Sequence, residues 1–133
     1  DVQAQGFPDA VDALAGAIKA ADGVIIVSPE YNYSVPGALK NAIDWLSRHP
    51  DAPLAGKPVA LQSVSGGALG GARMQYHMRQ ILVFLESYVH NRPEVFVTFG
   101  NQKIEAGRLT DGPTREAVVA QLTSFQAFIG KLK

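Results

Sequence analysis

The sequence predicts an α/β sandwich in which helices cover a parallel sheet. Three observations carry this. Helical stripes and strand-like runs alternate strictly along the chain. Val24-Ile25-Ile26-Val27 is a β-branched run without polar alternation, the pattern of a strand buried on both faces. Unusual polar, proline- and glycine-rich junctions follow the first two strand-like runs directly. Alternation of this kind implies parallel strands joined by right-handed crossovers.

The elements follow in order. Phe7, Val11, Leu14, Ile18 and Ala21 form a helical stripe; Pro8 and Asp9 suit its first turn, and Gly23 takes the left-handed position after its end. The 24–27 strand comes next. Leu39, Ile43 and Leu46 mark a second helix with Ser34 as its N-cap, ending before the loop at 49–53. Residues 58–64 read as a second strand, and 65–71 as a glycine-rich run. The long helix that follows carries Met74, Met78, Ile81, Leu82, Leu85 and Val89. A third strand spans 95–99, a polar loop 100–112, and a last helix presents Val118, Leu122, Phe125, Ile129 and Leu132.

Three strands make a small sheet, and the chain opens on a helix. In a doubly wound sheet the first strand is normally central, so the strand at 24–27 would show an apolar edge to water without it. The expectation is that a βαβ portion of roughly 40 to 50 residues is absent at the N-terminus.

Composition excludes several classes. The 133 residues suffice for one compact domain and not two. Twelve Lys and Arg balance twelve Asp and Glu, without the basic stripe of a nucleic-acid binder or an acidic tail. Cysteine is absent, which removes disulfides and thiolate metal sites and fits a cytoplasmic location. No apolar run approaches the ~20 residues of a membrane span. His49, His77 and His90 lack metal-ligand spacing with carboxylates, so surface or interface positions are the simple reading.

Ligands of open α/β sheets bind outside the carboxyl ends of the strands. Both unusual junctions lie there. A planar polar ring fits such a place, its edge read by backbone groups and its face flanked by aromatics. Pro29 and Pro36 stiffen the first junction, so little entropy is lost on docking. Gly66, Gly67, Gly70 and Gly71 would let backbone approach the ligand, with the positive end of the next helix aimed at it. Plainer readings stand beside these. Glu30 also reads as a carboxylate approaching a helix, Tyr31 and Tyr33 as core or rim aromatics, and 66–71 as a flexible loop. Ser34 reads as a cap only, Trp45 as packing, and Lys40 with Asp44 as a surface i,i+4 pair.

The run P-E-Y-N-Y-S-V-P-G-A-L-K-N-A-I-D-W-L at 29–46 resembles the signature of the NADPH-dependent FMN reductase family. The similarity continues through S-V-S-G-G-A-L-G-G-A-R, Q-Y-H-M-R-Q-I-L and N-R-P-E, and its nearest branch is that of the chromate and quinone reductases. The resemblance implies a single flavodoxin-like FMN-binding domain, a three-layer sandwich of which 1–133 is the C-terminal part. It implies that Pro29, Glu30, Tyr31 and Asn32 hold the isoalloxazine edge largely through backbone groups, with an N–H of the Tyr31–Asn32 region polarising flavin N5. Ser63, Ser65 and Gly66 would lie near the same ring. No acid–base residue is expected. NADPH or NADH gives hydride to the flavin and leaves, and a quinone, chromate or an azo compound then takes it, a ping-pong sequence. The family forms dimers, often dimers of dimers, which makes Arg73, Tyr76 and Glu94 candidates for a polar network across subunits, with Arg73 also placed to steer an anionic nucleotide. The family's phosphate-binding loop, which follows its first strand, has no counterpart here. Two rivals remain at this level: a flavodoxin-like electron carrier, against which the balanced charge speaks, and a scaffold domain without flavin.

Overall fold

The computed structural model describes residues 2–133. Helix α1 (Asp9–Ala20) leads to β1 (Val24–Pro29), then α2 (Gly37–Arg48), β2 (Pro58–Val64) and α3 (Ala72–Phe84). Two short strands follow, β3 (Tyr88–Val89) and β4 (Val95–Val97), then a small hairpin of β5 (Ile104–Glu105) and β6 (Arg108–Leu109), and finally α4 (Gly112–Leu132). The sheet is parallel throughout, with β2 at its centre. No helix among the described residues is long and apolar enough to cross a membrane.

Side-chain alternation on the strands sorts the layers. Val24 and Ile26 of β1 with Val59 and Leu61 of β2 face one core, shared with Ala15 and Ile18 of α1, Ile43 and Leu46 of α2, and Met74, Met78 and Leu82 of α3. Gln62 points the other way and meets Gln121 of α4. Helices therefore cover both faces, as expected of an α/β sandwich.

The edge opposite β1 is built differently from the single strand read at 95–99. Tyr88 and Val89 pair with Pro58 and Val59, and Val95 to Val97 with Gln62 to Val64, so β3 and β4 occupy one strand position interrupted by 90–94. The long helix stops at Phe84, and Glu86 turns left-handed at φ 59°, which releases Val89 from the expected helical stripe into the sheet. The interruption leaves a gap in the ladder. The Val59 carbonyl accepts from the His90 N–H at 2.8 Å, so the Leu61 carbonyl points the same way with no strand beside it. Gln121 fills that gap from α4: its Nε2 donates to the carbonyls of Leu61 at 3.1 Å and Pro93 at 2.9 Å, and its Oε1 accepts from Gln62 at 2.9 Å. A buried amide is retained there because a bare carbonyl would cost more.

Several local expectations are corrected. Gly23 is not a left-handed cap, since α1 ends at Ala21 in extended geometry; a Cβ at Gly23 would stand 2.7 Å from Ile129, so glycine is needed for the approach of α4. Ser34 does not cap α2, which starts at Gly37 behind Pro36. The loop at 100–112 contains the β5–β6 hairpin, turned by left-handed Ala106 and Gly107. The 24–27 run is not buried on both faces. In this chain Val27 is 64 % exposed and Ile25 also reaches solvent, and α4 packs on β2 and β4.

Candidate functional site

Parallel pairing brings the two unusual junctions together. Ser28 lies opposite Ser63 and Pro29 opposite Val64, so the segments starting at Glu30 and Ser65 leave the sheet side by side. The loop after β4 joins them. Ser65 N–H donates to the Val97 carbonyl at 3.1 Å, Gly100 N–H to the Ser65 carbonyl at 2.8 Å, and Phe99 N–H to the Gly67 carbonyl at 3.1 Å. Three strand ends thus form one ledge, to which Phe99 adds an aromatic that the sequence did not signal.

On this ledge residues 31–34 make a tight turn. Tyr31 N–H donates to the Ser34 carbonyl at 3.1 Å and Ser34 N–H to the Tyr31 carbonyl at 3.0 Å. Both central residues are left-handed, Asn32 at φ 47° and Tyr33 at φ 72°, the pattern of a type I′ turn. Asparagine tolerates that conformation; for tyrosine it costs ~1–2 kcal/mol. The turn also leaves the N–H groups of Asn32 and Tyr33 without a partner among the described residues.

Glu30 turns out to work through its side chain. Helix α3 begins behind left-handed Gly71, which has no side chain to cap it. The Glu30 carboxylate does so from the end of β1, accepting the N–H of Arg73 at 3.1 Å and of Met74 at 3.3 Å. It also accepts the Arg73 guanidinium, Nε and Nη2 each at 2.6 Å, while 7 % of its side chain is exposed. The positive end of α3 is therefore taken up by Glu30 rather than aimed at a ligand. The plainer reading of Glu30, a carboxylate approaching a helix, describes its side chain; its backbone stays at the ledge. Arg73 in turn lies 3.7 Å from the Tyr33 ring centroid. Its pKa is raised above the ordinary arginine value, first by Tyr33 and, against the cost of burial, by Glu30. The Ser34 hydroxyl pairs with His77 Nδ1 at 2.8 Å, a second link from the turn to α3.

The glycines divide into two pairs. Gly70 and Gly71 are buried, and an added Cβ would stand 2.8 Å from the Phe96 backbone or 2.7 Å from Ser63 Cβ, so they serve packing and not a ligand. Gly66 and Gly67 are open, with no atom nearer than 4.0 Å to an added Cβ. Ser63 is inside: its hydroxyl donates to the Gly70 carbonyl at 2.6 Å and accepts from Gln75 at 2.8 Å, so it shapes the loop from behind. Ser65 Oγ accepts from the Gly67 N–H at 3.3 Å.

Tyr76 and Glu94 meet within the chain, the tyrosine hydroxyl donating to Oε1 at 3.2 Å, with Arg79 Nη2 at 3.6 Å from the same oxygen. Within the chain Arg73 pairs with Glu30, while Tyr76 and Glu94 meet each other. His90 is no surface residue either: it is 5 % exposed, wedged against Phe125 and Phe128 and paired with Ser124 at 3.0 Å. Burial, then the nearby Arg79 charge, depress its pKa below 6.5.

The ring system of FMN fits these residues. The N–H groups of Asn32 and Tyr33, without a partner among the described residues, are available to the edge of such a ring, and the open backbone of Gly66 and Gly67 leaves room for a flat polar group. The model of the NADPH-dependent FMN reductase family matches residues 1–102. The chain belongs to that family. It is an FMN-dependent NAD(P)H oxidoreductase. A quinone reductase of Escherichia coli K12 is 56 % identical over 133 residues, covering 98 % of this chain and 71 % of the relative. An NAD(P)H-dependent FMN reductase of Pseudomonas aeruginosa is 47 % identical, covering 100 % of this chain and 72 % of the relative. Among solved structures, the flavoenzyme NAD(P)H:(acceptor) oxidoreductase FerB of Paracoccus denitrificans superposes with a TM-score of 0.87 at 31 % identity, over 98 % of this chain and 73 % of that one. The flavodoxin-like fold expected from the sequence is thereby established.

Proposed function

We propose that this family member reduces quinones at the ledge formed by the ends of β1, β2 and β4, holding the flavin ring by its edge. Pro29, Glu30, Tyr31 and Asn32 supply backbone groups on one side, and Ser65 and Gly66 on the other, with Ser63 fixing the second loop from within. The observation that supports this is the left-handed Asn32–Tyr33 pair, whose N–H groups have no partner among the described residues and are available to an external acceptor.

Bound FMN supplies the hydride-accepting and hydride-donating chemistry. The chain contributes position. The constrained turn presents donors without reorganisation, as a preorganised site requires. Pro29 and the Glu30–Arg73 link keep the turn from relaxing. One open ledge serves nicotinamide and acceptor in succession, which is the ping-pong order. Its openness also admits chromate and azo compounds as acceptors.

The assembly we propose is a homodimer or a dimer of dimers. It is supported by the apolar residues that α3 leaves exposed, Tyr76, Val83 and Phe84, which a partner surface would bury. Light scattering on the eluted protein gives the mass that tests it. For the activity, double-reciprocal plots at several quinone concentrations should be parallel; intersecting lines would contradict a shared ledge.

A further inference from the structure

We propose that Tyr33 selects the acceptor: its ring is a stacking platform for neutral planar acceptors of two rings, and Glu30 and Arg73 hold that platform in place. This rests on the quinone reductase reading and deepens it.

The backbone is the first argument. Tyr33 sits at φ 72°, where an Asn-Gly turn would carry no strain. A bulky residue kept in a left-handed position marks a place where the side chain is needed. Core packing does not explain the need, because Tyr33 is 66 % exposed. Yet the ring is not loose. The Arg73 guanidinium covers one face at 3.7 Å from the centroid and is itself fixed by Glu30 at 2.6 Å. The carboxylate is fixed in turn by two N–H groups of α3. The ring is thus an aromatic surface covered by Arg73 on one face, largely exposed otherwise, and with little entropy left to lose.

Charge decides the class of partner. Glu30 neutralises Arg73, so an anion gains little from the guanidinium. The guanidinium draws on the ring's negative face, which disfavours a second cation on the open side. What remains is offset stacking of an uncharged flat ring, and its strength grows with the area covered. Two-ring quinones gain more from it than one-ring quinones.

The test compares wild-type holoenzyme with Tyr33→Leu and Tyr33→Phe. The acceptors are 1,4-naphthoquinone and 1,4-benzoquinone, and a calorimetric titration with redox-inert 1,4-dimethoxynaphthalene gives a binding constant free of turnover. Tyr33→Leu should raise the naphthoquinone KM and the dimethoxynaphthalene Kd about tenfold, and the benzoquinone KM less than about threefold. Tyr33→Phe, which keeps the ring, should restore both wild-type constants. A Leu variant with wild-type KM and Kd, or one that loses both quinones equally, overturns the platform. Wild-type protein without reducible flavin overturns the quinone reductase reading, and the platform with it.

Discussion

The carboxylate of Glu30 accepts the backbone N–H of Arg73 at 3.1 Å and the Nε of the same residue's guanidinium at 2.6 Å. One side chain thereby fastens the end of β1 to the start of α3 and orients the arginine over Tyr33. Glu30→Ala removes a helix cap and strands a charge that is about one-third exposed, so solvent screens part of the loss. Denaturant unfolding should show a cost of about 2–3 kcal/mol, and Glu30→Gln, which keeps an acceptor for the N–H groups, about half of that.

The two glycine pairs should separate stability from binding. Gly71→Ala places a Cβ 2.7 Å from Ser63 at a residue of φ 85° and should destabilise by about 2–4 kcal/mol. A Cβ at Gly66 comes no nearer than 4.0 Å to another atom, Asn101 Oδ1, so Gly66→Val is sterically mild within the chain. It should leave the unfolding midpoint of the flavin-free protein in place while weakening FMN retention on dialysis. Equal FMN retention by Gly66→Val and wild type would remove this loop from the flavin site.

Gln121 bridges the break in the sheet. Gln121→Leu leaves the carbonyls of Leu61 and Pro93 buried without their donor. A loss of about 2–3 kcal/mol is expected in denaturant unfolding, with amide exchange accelerating first around 90–94.

His90 gives the fold a pH dependence of known sign. Its folded pKa lies below the unfolded value of 6.5, so the unfolded chain binds more protons between the two. Stability should fall as pH drops below 6.5 toward the folded pKa and level off beneath it. In His90→Gln that slope should vanish from the melting temperatures measured across the window.

The fold was legible because parallel α/β packing writes itself into sequence as alternating helical stripes and β-branched runs. The cluster of Val59, Leu61, Met74, Met78 and Leu82 follows directly from that periodicity. What escaped was non-local. Nothing near Val89 reveals that a left-handed Glu86 ends the helix early, and nothing near Gln121 tells of a missing carbonyl partner on β2.

At the ledge, the segments were readable and the roles of their side chains were not. Residues 29–34 and 65–66 stand where strand ends place them. Ser34 looked like a local cap, yet its partner is His77, 43 positions away. Gly66 and Gly67 look the same in sequence as Gly70 and Gly71, and only the proximity of Ser63 and Phe96 tells them apart. Tyr33 could be read as rim or site because its strain and its Arg73 partner both depend on a turn that residue type does not announce.

The most direct test of the central claim is the visible spectrum of the purified holoenzyme, recorded anaerobically before NADPH, after NADPH, and after a quinone is added. The account predicts flavin absorption that NADPH bleaches and the quinone restores. A spectrum with no bound flavin, or a bound flavin that neither NADPH nor NADH bleaches, would contradict it.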